Sequence, residues 1–208
     1  MSGLEMRPGL LEALRNVSGL LSFDWEEKPP LWLLGGSCGL LLHGVPLEVS
    51  PRDIDLYADL GEADVLHSAL SKWALNHPEE DWSRGCFSLR SQYRLEEYSA
   101  ELVCGFKVCF GLSQYTVETS LLLQDAPRTY FEGIGHLRLM PLAHEFVFNV
   151  MRGRRDRYEG IAAVMRKNLA NHLPLLQTLI DHNLLEQSHV LLIEELLAVS
   201  LSHELERM

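Results

Sequence analysis

The sequence predicts an α/β (α+β) fold in which a mixed sheet with flanking helices is followed by a C-terminal helical domain. Short apolar segments at 31–34 and 53–57 have the length of strands rather than helices. Segments with apolar residues at helical spacing lie between the strand-like ones, an alternation typical of a sheet covered by helices. After Pro141 the apolar segments follow helical spacing. These observations predict an α/β core at 1–140 and a helical domain at 141–208.

Apolar spacing, together with the positions of glycine and proline, predicts the elements in order. The predicted helices are at 8–22, 38–43 and 63–75, then one beginning near Leu142, and three more at 157–168, 172–183 and 186–206. The predicted strands are at 31–34, 53–57, 87–93 and 100–110, with a further extended segment at 114–122.

Composition narrows the function classes. The net charge of −11 over 208 residues, without a basic stripe, argues against general nucleic-acid binding. No apolar run approaches the roughly 18 residues that a membrane helix needs. The four cysteines form no CxxC pair, which favours free thiols, and the first residues lack the pattern of a signal peptide. We therefore expect a cytoplasmic protein without a membrane partner.

Two carboxylates, Asp53 and Asp55, occupy alternate positions of the second predicted strand. Side chains at alternate positions of a strand point to the same face, about 6 to 7 Å apart. Divalent cations that handle phosphates take one or two carboxylates and leave positions open for water and substrate oxygens. The pair therefore predicts a metal site.

The order of these features resembles the nucleotidyltransferase superfamily with a polymerase-β-like core. That family has an apolar strand ending in Gly-Gly or Gly-Ser, then a short helix, and then Asp-x-Asp or Asp-x-Glu on the next strand. Here Gly36 and Ser37 stand at the turn, and Asp53 and Asp55 stand at the paired-acid positions. Arg52 precedes the pair, as a basic residue often does in the family.

The resemblance implies a third acid on a later strand, and Glu101 is the best candidate. It lies inside an otherwise apolar strand, where a carboxylate is costly to bury without a partner. Family members often carry a tyrosine-led hairpin, an acid-containing apolar strand and then glycine, a pattern similar to Tyr93 through Gly105. Glu118 is the alternative third acid.

The activity that the resemblance implies is metal-assisted transfer of a nucleoside monophosphate from an NTP, with ATP the expected nucleotide. Asp53 and Asp55 would hold Mg²⁺ or Mn²⁺. Glu101 would ligate a second metal ion or act as general base on the acceptor hydroxyl. The expected nucleotide-binding residues are Gly35, Gly36, Ser37 and Arg52, with backbone N–H groups of the turn holding phosphates.

Residues 145–162 resemble the helical tail of family members of the antibiotic-transferase and abortive-infection type. Such tails commonly read lysine, a few residues, and then Arg-x-x-Asp. Arg154 or Arg155 with Asp156 fits this pattern, while Asn149 or a neighbour fills the lysine position. Two interpretations of the arginine cluster stay open, a solvated helix start and a clamp for phosphate or acceptor, and the cluster comprises Arg152, Arg154, Arg155 and Arg157.

The leading hypothesis is an enzyme that transfers a nucleotidyl group to a hydroxyl of a small molecule or a protein. The negative overall charge suits a cationic acceptor, such as an aminoglycoside. Two alternatives remain. One is a catalytically inactive nucleotidyltransferase-like module that binds a nucleotide or a partner protein, and the other is a component of a toxin–antitoxin or phage-defence pair.

Overall fold

The computed structural model describes residues 6–21, 29–82 and 86–201. In these ranges the strands are β1 (Leu33–Gly35), β2 (Asp53–Ala58), β3 (Glu79–Asp81), β4 (Phe87–Leu95), β5 (Tyr98–Phe110), β6 (Ser113–Thr116), β7 (Thr129–Phe131) and β8 (Gly135–Leu137). The α-helices are α1 (Pro8–Leu21), α2 (Gly36–Leu42), α3 (Ala63–Leu70), α4 (Thr119–Leu122), α5 (Leu142–Met151), α6 (Arg155–Met165), α7 (Leu173–His182) and α8 (Gln187–Leu197).

A mixed sheet forms the centre of the molecule. Its strand order is β1-β2-β5-β4-β3, and β6 pairs with the distal part of β5. Strands β2 and β5 are parallel, whereas the other pairings of this sheet are antiparallel. Strands β7 and β8 form a separate hairpin. The predicted α/β class with a mixed sheet and flanking helices is therefore confirmed.

The two faces of the sheet pack differently. Ile54, Leu56 and Leu102 point to one face, where they form a core with α1 and α3. Because side chains alternate along a strand, Asp53 and Asp55 point to the opposite face. The pairing of β2 with β5 then sets Asp55 directly beside Glu101. The register of one strand pair thus gathers the acids that the sequence singles out.

Helix α5 is buried along its whole length, from Leu142 to Met151. Such a helix, buried on every side, belongs inside a core, and α6, α7 and α8 pack around it. The same core includes Leu33 and Val108 from the sheet. The helices after Pro141 are present as predicted, while the division into domains at 140 and 141 stays a prediction.

The sequence predicts an extended segment over 114–122, but in the structure only its first part is extended. Strand β6 ends at Thr116, and α4 begins at Thr119. The carboxylate of Asp59 accepts hydrogen bonds from the backbone N–H of Thr119 at 2.7 Å and of Ser120 at 3.0 Å. A helix start needs acceptors for its first N–H groups, so this long-range contact favours a helical turn there.

Other elements also differ at their ends. Helix α3 stops at Leu70 and continues as a 3-10 turn, short of the predicted end at 75. Helix α8 ends at Leu197, because Ala198 adopts a left-handed backbone with φ of 54°; the end of the predicted helix at 202–206 lies outside the described residues. Among the described helices, none is both long and apolar enough to cross a bilayer.

Candidate active site

A large cleft, with a volume of about 1150 Å³, opens on the acid-bearing face of the sheet. Strands β2, β4 and β5 form one wall, and the end of α5 with the start of α6 forms the other. The predicted site residues that line it are Gly36, Ser37, Arg52, Asp53, Asp55 and Glu101. Gly35 is not among the lining residues, and lies one position behind them in β1.

Asp55 is less exposed than Asp53, its neighbour on β2. Burial raises its pKa to about 7. Repulsion from the neighbouring carboxylates of Asp53, Glu101 and Glu145 adds to the rise, and Arg152 opposes it. An opposite charge close to such a group favours its ionised form. Negative charge is therefore concentrated at a point where a cation would be stabilised.

Glu101, the predicted third acid, is held by Arg90 of the adjacent strand β4. Its Oε1 accepts hydrogen bonds from Arg90 Nε at 3.1 Å and from Arg90 Nη2. The same guanidinium donates to Asp81 of β3 through Nη1. Arg90 and Asp81 also line the cleft. The third acid is thus oriented by an arginine that sequence reasoning did not single out.

Asp53 and Asp55 offer the oxygen ligands that a divalent cation prefers, but they do not form a complete coordination shell from protein atoms alone. Within 6–21, 29–82 and 86–201, no group of three or more histidine, cysteine, aspartate or glutamate side chains could hold a metal ion. Phosphate-handling Mg²⁺ sites commonly use one or two carboxylates and take further oxygens from the substrate. Asp53 and Asp55 supply that number of carboxylates from a single strand, so the donor set fits Mg²⁺ or Mn²⁺.

Gly36 has a backbone that only glycine adopts at low cost. Its φ is +58°, and a Cβ there would lie 1.9 Å from Asp55 Oδ2. The missing side chain lets the Asp55 carboxylate approach the turn closely. The Gly36 N–H donates to Glu145 Oε1 at 2.9 Å. One of the backbone donors that the sequence analysis assigned to phosphate is therefore engaged by the chain itself.

Glu145 is a further acid in the cleft, and the sequence analysis did not identify it as a site residue. It is 4% exposed, and Asn149 Nδ2 donates to its Oε2 at 3.3 Å. Burial raises its pKa to about 7, although the Gly36 N–H and nearby arginines oppose the rise. An acid within the apolar segment 142–151 was the available signal, since burying a carboxylate needs a partner. This is the argument that identified Glu101.

The arginine cluster divides between the cleft and the surface. Arg152, Arg154 and Arg157 line the cleft. Arg154 makes a bidentate pair with Asp156, at 2.9 and 2.8 Å. Arg155, in contrast, is not among the lining residues and pairs with Glu159 one helical turn later. Of the two arginines that fit the tail pattern with Asp156, only Arg154 therefore faces the cleft.

Glu118, the alternative third acid, lies away from the cleft. Its carboxylate contacts His182 Nε2 at 2.6 Å on the surface, and it is not among the residues that line the cleft. Of the two candidates, only Glu101 lies beside Asp55.

Comparisons with known proteins identify the fold. Neither a protein-family model nor a curated protein matches the sequence. A crystal structure from Thermotoga maritima, provisionally described as a nucleotidyltransferase, superposes with a TM-score of 0.60 at 19% identity. That match covers 80% of this chain and 96% of the other.

Two further solved structures are more distant. The antibiotic-resistance factor ANT(2'')-Ia matches at TM-score 0.47 and 10% identity, over 81% of this chain and 89% of its own. The lincosamide antibiotic adenylyltransferase LnuA matches at a TM-score of 0.38 and 13% identity, over 64% of this chain and 86% of its own. These two likenesses are too weak to support a conclusion. The sheet topology and the Thermotoga match together show that this chain has a nucleotidyltransferase-like fold.

Proposed function

We propose that the protein is a metal-dependent nucleotidyltransferase that moves a nucleoside monophosphate from an NTP, with ATP as the expected donor, to a hydroxyl group. The observation that carries the proposal is the sharing of one cleft by Asp53, Asp55 and Glu101 with the Gly36 turn. Asp53 and Asp55 would hold Mg²⁺ or Mn²⁺, which supplies charge stabilisation for the triphosphate oxygens when it is bound.

The triphosphate would lie against the arginines of the opposite wall. Arg152, Arg154 and Arg157 face the cleft from the α5–α6 connection, and a guanidinium matches phosphate oxygens in charge and shape. Arg52 and the Ser37 hydroxyl add donors on the β2 side. Gly36 contributes by admitting the Asp55 carboxylate rather than by donating its N–H, which Glu145 accepts.

Glu101 is the proposed general base. The acceptor oxygen would bond to the α-phosphorus, the bond from that phosphorus to the bridging oxygen would break, and pyrophosphate would leave. The hydroxyl proton would pass to the Glu101 carboxylate. Arg90 supports this role because its two hydrogen bonds fix the direction of the carboxylate.

A transfer assay tests the proposal. The whole chain is incubated with Mg²⁺, α-labelled ATP and a panel of hydroxylated small molecules and proteins, and labelled product and pyrophosphate are measured. We expect Asp53→Asn and Asp55→Asn to lower transfer on the order of a hundredfold or more. Asp64→Asn, at an exposed acid on α3, is the matched control and should leave transfer unchanged.

The outcomes separate the functional alternatives. Transfer that survives in both strand variants would refute the assignment of the acid pair. Nucleotide binding without transfer to any acceptor would favour the catalytically inactive module. Wild-type protein that neither binds nucleotide nor transfers it would contradict both.

A further inference from the structure

We propose that the part of the cleft beyond Gly105 is an apolar acceptor subsite, so that the acceptor is a hydroxyl compound with an apolar ring rather than a polycation. This inference rests on the proposed function, because it names the second substrate of the same cleft. Three observations carry it: a bulge in β5, an aromatic group next to the acids, and the charge balance of the lining.

The bulge changes which residues of β5 face the cleft. Leu89 pairs with Cys104, but Phe87 pairs with Lys107, so β5 contains one extra residue near Gly105. Gly105 has a φ of +60°, the left-handed backbone that such a bulge favours. Before the bulge the lining positions are Glu101 and Val103.

After the bulge, the lining positions of β5 shift by one residue. Phe106, Val108 and Phe110 then face the cleft. Without the extra residue, alternation would turn these three side chains to the other face of the sheet. Because of the bulge, the apolar side chains after Gly105 lie on the same face of the sheet as the acids.

This apolar section lies close to the acids. The Phe106 ring centroid is 6.4 Å from that of Tyr57, which stands two positions after Asp55 on β2. On the helical side, Phe106 contacts the ring of Phe148 edge-on at 5.5 Å. A compound whose hydroxyl lies at the acids could therefore place an attached ring against this section.

The charges of the lining do not favour a polycation. Five acids line the cleft, namely Asp53, Asp55, Asp81, Glu101 and Glu145, and so do five arginines, namely Arg52, Arg90, Arg152, Arg154 and Arg157. The cleft is formally neutral, although the whole chain carries −11. The cleft as a whole therefore has no excess negative charge to attract a polycation. This differs from the cationic acceptor that the overall charge suggests.

The cleft also has room for a second substrate. Its volume of about 1150 Å³ exceeds the usual size of a site for one small ligand, which is about 300–1000 Å³. The nucleotide phosphates require the charged section, since the section beyond Gly105 offers apolar side chains that cannot solvate them. We therefore assign the apolar section to the acceptor rather than to the triphosphate.

Ligand-observed NMR titrations of the whole chain test the subsite directly. The probes are 4-phenylbutan-1-ol and 2-cyclohexylethanol, with tobramycin as the hydroxylated polycation. We expect the two alcohols to bind, and Phe110→Ser to weaken them by about tenfold through loss of an apolar contact. Phe110→Leu, which keeps an apolar side chain, should restore binding to within about threefold.

Leu112→Ser is the matched control. Leu112 lies in the turn between β5 and β6, two positions after Phe110, is 77% exposed and does not line the cleft. We expect this variant to bind the alcohols as the wild type does. The affinity for Mg²⁺ with α,β-methylene-ATP, measured by calorimetry, should be unchanged in all three variants.

The two proposals fail in different ways. The subsite is overturned if neither alcohol binds, if Phe110→Ser binds them as well as Leu112→Ser does, or if tobramycin binds more tightly than both alcohols. Nucleotide binding would survive each of these results. Alcohol binding without nucleotide binding would instead overturn the proposed function, and with it the role of the pocket as an acceptor subsite.

Discussion

At the scale of single residues, the Gly36 backbone and the Asp55 carboxylate occupy one small space. A side chain at Gly36 would require a left-handed backbone, which costs about 1–2 kcal/mol for a non-glycine residue. It would also displace the carboxylate, because its Cβ would lie 1.9 Å from Oδ2. We predict that Gly36→Ala lowers both the free energy of unfolding, measured in urea, and the affinity for Mg²⁺ with α,β-methylene-ATP.

Gly44 provides the control for this substitution. It has a φ of +75°, and a Cβ there would meet nothing within 4 Å. Gly44→Ala should cost only the backbone contribution, about 1–2 kcal/mol, and should bind nucleotide like the wild type. Equal affinity in the two variants would contradict the proposed contact between the turn and the metal-binding acid.

Glu145 predicts a dependence of stability on pH. Its pKa is raised from 4.5 to about 7, chiefly by burial. Between these two pH values, the folded state holds a proton on Glu145 that the unfolded state has released. The contribution of this proton to stability is therefore complete below pH 4.5 and is lost as pH rises through about 7. Glu145→Gln removes the titration. In metal-free buffer its free energy of unfolding, relative to wild type, should rise by about 2–3 kcal/mol between about pH 5 and pH 8.

Urea unfolding of both proteins at the two pH values measures this difference. Glu159→Gln, at an acid half-exposed on α6, is the control and should show almost no change relative to wild type. A Glu145→Gln difference that is the same at both pH values would show that Glu145 does not hold a proton in the folded state.

The sequence predicted the residues whose role follows from local spacing. Asp53 and Asp55 share a face because they alternate on one strand, and Gly36 marks a turn before a helix. Glu145 and Arg90 act through partners on other elements. Glu145 meets Gly36 across 109 positions, so no local pattern could place its carboxylate there.

At the scale of elements, α5 is tied to β6 by a buried hydrogen bond. The Tyr115 hydroxyl lies 2.8 Å from His144 Nδ1, and burial lowers the pKa of His144 to about 3, so its ring is neutral. We predict that Tyr115→Phe lowers the free energy of unfolding by about 1–3 kcal/mol, because it leaves a buried ring nitrogen without its partner.

Urea unfolding checks this value, with Tyr130→Phe as control. Tyr130 is 64% exposed, so the same chemical change there should cost less than about 0.5 kcal/mol. Equal stability of the two variants would show that the bond does not anchor the helix to the sheet.

Elements with a regular apolar pattern could be predicted from the sequence. Elements that depend on contacts with distant parts of the chain could not. The long strands β4 and β5 and the helices after Pro141 follow directly from apolar spacing. Helix α4 depends on Asp59, which lies 60 positions before Thr119. The bulge at Gly105 depends on pairing with β4. Short elements whose geometry is imposed by a neighbour carry little signal of their own.

At the scale of the whole molecule, the cleft brings together two structures with opposite charge. Strand β2 contributes the acid pair, and the α5–α6 connection contributes three arginines. Neither wall of the cleft alone could hold a nucleoside triphosphate with its metal ion, because the acids repel phosphate and the arginines repel the cation. Binding of the metal–nucleotide complex therefore requires both walls of the cleft.

Calorimetric titration of α,β-methylene-ATP, which resists cleavage at the bond that transfer would break, tests this requirement most directly. We expect the wild type to bind the nucleotide only with Mg²⁺ or Mn²⁺ present, and we expect Asp55→Asn and Arg152→Gln each to weaken binding by about tenfold or more. Asp64→Asn should bind normally. Binding that is independent of metal, or that is unchanged in both cleft variants, would show that the two walls do not hold one metal–nucleotide complex.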